Sequence, residues 1–357
     1  MMEKFCVFCG KKPKGKNNEH IIPRWLIEFT GDPNRVVQIG PIWNVKTSTL
    51  ELKEFAFDQF QFPACETCNQ KYSNLEIKAK DVVQRLIGEK ALSSEDFIIL
   101  LDWMDKIRVG LWLAFNYLQK NISDVEPNYH ISKRIGTKDR AIFLYKSDSK
   151  ETGITFSGAN TPAFQYYPVC FNLRINQFCL FNLSTDFVVS KYLGLPYSRE
   201  MYFTEGQEMT HVINEGKNRV LYPLVRMPYN KKCMEIYQPI FSHHGLRGQV
   251  EHLYDTVYAR SLSRDFQEGI GKVLITQKNQ IAEYPSGDSE SWIPKNVWKL
   301  TDLMDMIGRQ VLEFQIYFLN RDGNYNEVRL EKRKVIKHQH DVAKYVNRLF
   351  LKNMDEE

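Results

Sequence analysis

Cys6-Val7-Phe8-Cys9-Gly10 and Cys65-Glu66-Thr67-Cys68-Asn69 are the two stretches on which the reading of this sequence turns. Each sets two cysteines three apart, so that on a tight turn both sulfurs aim at one point. A second such turn completes a tetrahedron around a metal ion. Gly10 suits the tight knuckle. Fifty-five residues lie between Cys9 and Cys65, whereas a simple zinc ribbon has about 15–20, so a sizeable insertion between the knuckles is expected. A disulfide is disfavoured in a reducing compartment. A thioredoxin-like redox site needs one such pair at the end of a strand in a βαβ pattern, a context missing here. Structural zinc on Cys6, Cys9, Cys65 and Cys68 is the expectation. In small peptides such sites contribute roughly 10–16 kcal/mol of apparent binding free energy, enough to fix the fold of a small module that is marginal alone.

Outward from the knuckles, residues 1–90 read as one module and 91–357 as a second, larger domain. The lysine-rich stretch Lys11, Lys12, Lys14 and Lys16 precedes Glu19-His20-Ile21-Ile22-Pro23. A short helix is predicted over 24–29, stopped by Gly31 and Pro33, and β-favouring runs occupy 35–62. After the second knuckle, Leu75, Ala79, Val82, Val83, Leu86 and Ile87 recur at helical spacing, with Gly88 as a stop. Ser93 and Asp96 form a capping-box signature for a helix over about 94–120, apolar on all sides and therefore buried by neighbours. Strand-like patterns follow at 141–145, 168–184 and 272–284, then helical blocks at about 296–319 and 340–352. The predicted fold class is α+β: a small N-terminal metal module followed by a larger mixed domain of unassigned topology.

Composition sets the outer limits. Of 357 residues, 43% are hydrophobic and 25% charged, which excludes a disordered chain, a collagen-like fibre and a disulfide-dense mini-protein. The net charge of +5 is mildly basic and compatible with a nucleic-acid partner. The most apolar stretch, Phe97 to Tyr117, is interrupted by Asp102, Asp105, Lys106 and Arg108, so no membrane span is expected. The chain opens without a signal-peptide pattern, and a cytoplasmic location is the default expectation.

The order C-x-x-C, Glu-His-Ile-Ile-Pro, C-x-x-C-Asn resembles the HNH, or ββα-metal, nuclease superfamily in its zinc-knuckle form. The resemblance covers residues 6 to about 76 and is closest to phage junction-resolving enzymes, which also place Asn after the second knuckle. It implies that His20 is the general base and that Glu19 and Asn69 hold a catalytic Mg²⁺ or Mn²⁺. It also makes Cys6, Cys9, Cys65 and Cys68 the zinc ligands. The chemistry suits these residue types. An imidazole takes a proton from water at neutral pH, and a carboxylate with an amide oxygen offers hard donors to a cation that neutralises the scissile phosphate. Adjacent residues on a strand point to opposite faces, so a local distortion must bring Glu19 and His20 to a shared site, or only the His20 ring faces the phosphate.

The sequence departs from the family at three points. Glu19 replaces the usual Asp. Gln59, Gln61 or Asn44 stands in for an Asn that orients the base. Ser73 falls where a second helix ligand would be. Each site residue also has a structural reading: His20 as a buried histidine bonded to a carbonyl, Glu19 as a surface carboxylate paired with Lys16, Asn69 as the N-cap of its helix. The basic loop is either solvated or in contact with phosphates. Elsewhere, His243-His244 and His338-Gln339-His340 lack a ligand pattern. Arg329, Lys332, Arg333, Lys334 and Lys337 form a basic run between two structured segments. The aromatics Phe164, Tyr166, Tyr167, Phe171, Phe178 and Phe181 read as core, and Cys170, Cys179 and Cys233 as small buried hydrophobes.

The functional expectation is an HNH-type endonuclease hydrolysing phosphodiester bonds of DNA, with RNA as another possible substrate and a role in bacterial or phage defence. Zn²⁺ is structural, Mg²⁺ or Mn²⁺ catalytic. Residues 91–357 serve recognition, regulation, oligomerisation or a partner protein. The competing expectation is a catalytically silent zinc-knuckle module that binds nucleic acid or protein.

Overall fold

The computed structural model describes residues 5–13, 17–44, 49–56, 61–118, 127, 129–193, 197–203, 209–214, 233–239, 273–277, 280–285, 294, 296–321 and 330–356. The N-terminal part runs β1 (Asn17–His20), α1 (Arg24–Phe29), β2 (Val36–Asn44), β3 (Thr49–Ala56), β4 (Gln61–Ala64) and α2 (Glu66–Ile87). Strands β1 and β4 pair antiparallel, and β2 and β3 form a hairpin of their own. The expected insertion between the knuckles is therefore α1 with the β2–β3 hairpin. Helix α2 buries Leu75, Ala79, Val82, Val83 and Leu86 along one face and ends at Gly88, as their spacing requires.

Helix α3 (Ser94–Leu118) starts with the predicted capping box. The Ser93 amide donates to Asp96 Oδ2 at 2.8 Å and the Asp96 amide to Ser93 Oγ at 3.2 Å. From Leu100 to Phe115 every residue is buried, including the four charged ones, because each has a partner. Arg108 bonds Asp105 at 2.7 Å, and Arg140 reaches Asp102 at 2.6 Å and Asp105 at 3.0 Å. Arg108 also donates to Asn182 Oδ1 and to the Pro168 carbonyl. Burial alone would raise the Asp105 pKa, but Arg108 and Arg140 outweigh it and hold the carboxyl below the usual carboxylate range.

The rest is mixed α and β: β5 (Asp139–Ser147), β6 (Ile154–Ser157), α4 (Pro162–Tyr166), β7 (Cys170–Ile175), β8 (Phe178–Thr185), α5 (Val188–Leu193), β9 (Tyr197–Phe203), β10 (Met209–Asn214), β11 (Met234–Gln238), β12 (Leu274–Gln277), β13 (Gln280–Glu283), β14 (Val297–Trp298), α6 (Leu300–Arg321) and α7 (Leu330–Glu356). The main sheet has the order β13-β12-β11-β5-β8-β7-β6, with β14 parallel to β5; β9 and β10 pair separately. Strand alternation splits its residues between two cores. Ile142, Leu144 and Leu180 join the core of α2, α3 and the first knuckle. Ala141, Phe143, Phe181 and Leu183 join Leu303, Ile307 and Val311 of α6. The sheet is thus sandwiched between α3 and α6. Gly110 of α3 admits Ile21, since a Cβ there would lie 2.9 Å from Ile21 Cγ2.

The named aromatics lie in or against these cores, with Phe164, Phe171, Phe178 and Phe181 fully buried. Cys170 and Cys179 are buried and Cys233 half-buried. The described part of the basic run lies on a helix, one of the two settings expected of a solvated charge run: α7 begins at Leu330, ten residues ahead of the expected start, and carries Lys332 to Lys337. Lys and Arg are good helix formers, so the charge run extends the helix where an apolar periodicity alone does not reveal it. No helix among the described residues is long and apolar enough to cross a membrane.

Candidate metal centre and its surroundings

The first knuckle closes on itself. The Cys6 amide donates to the Lys11 carbonyl and the Gly10 amide to the Cys6 carbonyl, both at 2.8 Å. Gly10 has φ of +74°, the left-handed region that favours glycine. The His130 ring sits over it, and a Cβ at Gly10 would lie 2.4 Å from His130 Cε1. The knuckle is further held by the Val7 amide on the Pro63 carbonyl, and by the Ile131 and Ser132 amides on the Val7 and Phe8 carbonyls.

The second knuckle is the start of α2. Cys65 is its N-cap residue, and the Asn69 amide donates to the Cys65 carbonyl at 2.9 Å. The Cys65 amide donates to Cys6 Sγ at 3.2 Å, and Cys9 Sγ lies 4.0 Å from Cys65 Sγ. The four sulfurs all lie within 4.8 Å of one another. A tetrahedral zinc with bonds of about 2.3 Å needs sulfurs about 3.8 Å apart, so the donor set and its spacing fit the ion. Burial, then the neighbouring Cys6 and Cys9 sulfurs, push the Cys68 thiol up to about 12. A bound divalent metal lets clustered cysteine sulfurs ionise together. The positive end of α2 also favours thiolates at its first turn.

The strand carrying the Glu-His pair runs beside this centre. Asn17 pairs with Ala64, the residue before Cys65, and His20 with Gln61. Glu19 faces inward with its cross-strand neighbour Phe62, both buried, while His20 is half-buried on the opposite face beside the exposed Gln61. Glu19, whose expected partner Lys16 lies outside the described residues, has a partner on α3. Its carboxylate accepts from Lys106 Nζ of α3 at 2.5 Å. The same ammonium bonds Glu76 of α2, which also accepts from the indoles of Trp25 (2.9 Å) and Trp103 (3.3 Å). Burial alone would lower the Lys106 pKa; Glu76 and Glu19 outweigh it and hold the ammonium above the ordinary lysine value.

This arrangement bears on the second, catalytic cation. Glu19 Oε1 accepts from a buried ammonium, which would compete with a divalent cation for that carboxylate. Asn69 is half-buried in the first turn of α2, not at its N-cap. It shares a helix face with Glu76, two turns on, and so lies on the side of α2 that meets Lys106. Ser73 is exposed, its hydroxyl donating to the Gln70 carbonyl at 2.6 Å. Asn44 ends β2, opposite Thr49. Lys11 and Lys12 are exposed; Lys14, Lys16, Gln59, His243, His244 and Arg329 lie outside the described residues. His338 and His340 are on α7, and among the described residues only the four cysteines form a metal-competent group of three or more.

Lys106, Glu76, Trp25 and Trp103 carry no sequence motif that marks them as a group. The one signal for them is a lysine inside an apolar run, which has to be paired wherever that run is buried. No protein-family model, curated protein or solved structure matches the chain.

Proposed function

We propose that this protein is a zinc-stabilised endonuclease of the HNH type acting on DNA, with His20 as the general base. The observation that supports this reading is the four-cysteine cluster. It gathers the first knuckle, the strand ending in His20 and the helix opening with Asn69 into one small body, which is the order the resemblance implies. His20 lies on the outer face of β1, away from the Glu19–Lys106 bond, on the side from which a phosphate backbone approaches. Its role is to take a proton from the attacking water. Asn69, in the first turn of α2, is the residue that the resemblance assigns to the catalytic cation. Exposed Lys11 and Lys12 beside the first knuckle supply salt-dependent contacts to phosphates. A role in defence against phage follows the resemblance and is part of the proposal.

The testing experiment is plasmid nicking by the full chain in Mg²⁺, Mn²⁺ and EDTA, with parallel single-stranded and double-stranded RNA substrates. Cleavage that needs the divalent ion and falls roughly 10²–10⁴-fold in His20→Ala supports the reading. Cleavage unchanged by His20→Ala counts against it. The commitment of Glu19 to Lys106 favours a second reading, a catalytically silent zinc module that binds nucleic acid or protein. That reading predicts salt-dependent DNA binding with no cleavage in any metal.

A further inference from the structure

Two basic pairs that lie far apart in the chain meet at the first knuckle. Lys11 and Lys12 follow its glycine, and Lys133 and Arg134 close the single helical turn Ile131–Lys133. The Ile131 and Ser132 amides bond the Val7 and Phe8 carbonyls, and the His130 ring sits over Gly10. Lys133 therefore follows the residue bonded to Phe8, and Lys11 follows the residue under His130. Lys133 is also near enough to the His130 ring to lower its pKa, after the larger effect of burial. Lys11, Lys12 and Lys133 are exposed, and Arg134 is half-buried.

Arg134 is held in place by aromatic rings. Its guanidinium lies over the Tyr129 ring at 4.2 Å, and Tyr129 stacks on Trp112 of α3 with ring centroids 4.5 Å apart. Such a stack fixes the guanidinium plane without using its N–H groups. The Arg134 Nε is buried and meets no acceptor among the described residues. Neither 5–13 nor 129–138 contains an Asp or Glu, and among the described residues no carboxylate pairs with Lys11, Lys12, Lys133 or Arg134. A fixed guanidinium with donors to spare, beside three solvated ammoniums, suits the oxygens of a phosphate.

We propose that Lys133 and Arg134 join Lys11 and Lys12 in one surface, laid across the first knuckle, that binds the phosphodiester backbone of a nucleic acid. The knuckle is bonded to β4, the partner strand of β1, so this surface adjoins the strand that ends in His20. Contacts of this kind position a backbone and read no sequence. The proposal rests on the nucleic-acid reading given above and adds to it two residues that neither the motifs nor the resemblance mark.

Fluorescence anisotropy of the zinc-loaded full chain on a short labelled DNA duplex, without added Mg²⁺ or Mn²⁺, tests this between about 50 and 200 mM salt. The same duplex made of RNA shows which polymer supplies the backbone, and salt-dependent binding of either supports the proposal. Lys133→Ala and Arg134→Ala are each expected to lower the slope of log affinity against log salt by about 1. The double variant is expected to bind roughly tenfold or more weakly at about 100 mM salt. Arg134→Lys keeps the charge and is expected to keep the slope. Lys191 is an exposed lysine of α5, whose apolar residues join the core on the other side of the sheet, and Lys191→Ala is expected to bind as the wild type does. Unchanged zinc content and far-ultraviolet circular dichroism confirm the fold of each variant. A double variant that binds as the wild type, or an equal loss in Lys191→Ala, overturns the proposal and leaves the nuclease reading standing. A slope lost in Arg134→Lys as in Arg134→Ala overturns the assignment of Arg134. The expected losses in a chain that cleaves nothing strike the nuclease reading and support this surface. A wild type that binds neither polymer overturns both.

Discussion

Lys106 and Glu19 meet at 2.5 Å although 87 positions separate them in the chain. Their bond fastens the strand that ends in His20 to the longest buried helix of the N-terminal half. Lys106→Met is expected to cost about 3–5 kcal/mol in urea unfolding, because it leaves Glu19 and Glu76 in the interior with no cation. Since the folded pKa of Lys106 is raised, its contribution is fully present below the ordinary lysine value and is lost as pH rises through the folded value. The wild type should therefore lose stability in strong alkali more steeply than a Lys106→Met/Glu19→Gln double variant.

That double variant also tests Glu19 as a cation ligand. If Glu19 only positions β1, it should bind Mn²⁺ as the wild type does, measured by electron paramagnetic resonance. A tenfold or greater loss of Mn²⁺ affinity would return Glu19 to the ligand set.

Asn69 separates stability from function in the opposite direction. It sits within the first turn of α2, where Ala is the better helix former. Asn69→Ala should leave the unfolding free energy unchanged within about 0.7 kcal/mol while lowering cleavage at least tenfold. A fall in stability with no fall in cleavage would make Asn69 a structural residue.

The cysteine cluster predicts one zinc per chain by atomic emission. Cys65→Ser should lose the metal and melt the N-terminal part at ordinary temperature, as roughly 10–16 kcal/mol of binding free energy is withdrawn. Acidification should release the zinc as protons compete for the sulfurs, and a chelator at neutral pH should do the same.

The ion lattice of α3 sets an acid limit. The Asp105 pKa is lowered in the folded chain, so its contribution is present above the ordinary aspartate value and is lost as pH falls through the folded value. Arg140→Met removes the cation shared by Asp102 and Asp105 and should destabilise the chain by about 3–5 kcal/mol. An acid-unfolding midpoint unmoved by that change would show the lattice to be energetically neutral.

Local patterns were legible where one element explains itself. The capping box at Ser93 and Asp96, the stop at Gly88 and the buried face of α2 all follow from spacing. The four cysteines announced their cluster because the chemistry of that ligand set is narrow. The side-chain partners were not legible: Glu19 bonds Lys106, which lies six elements further along the chain. Strands β9 to β11 escaped notice because their alternation is weak and Glu200 and Glu235 interrupt them. The sheet order joins segments such as β5 and β11 that lie far apart in the chain, and no local signal encodes that pairing.

The backbone bonds from Ile131 and Ser132 to Val7 and Phe8, with the His130 ring seated on Gly10, have a practical result for anyone dissecting the molecule. A fragment cut at residue 90 would strip away the buttress of its own first cysteine turn along with the ammonium beneath Glu19. The shortest piece expected to retain its metal runs from the first cysteine past Lys133.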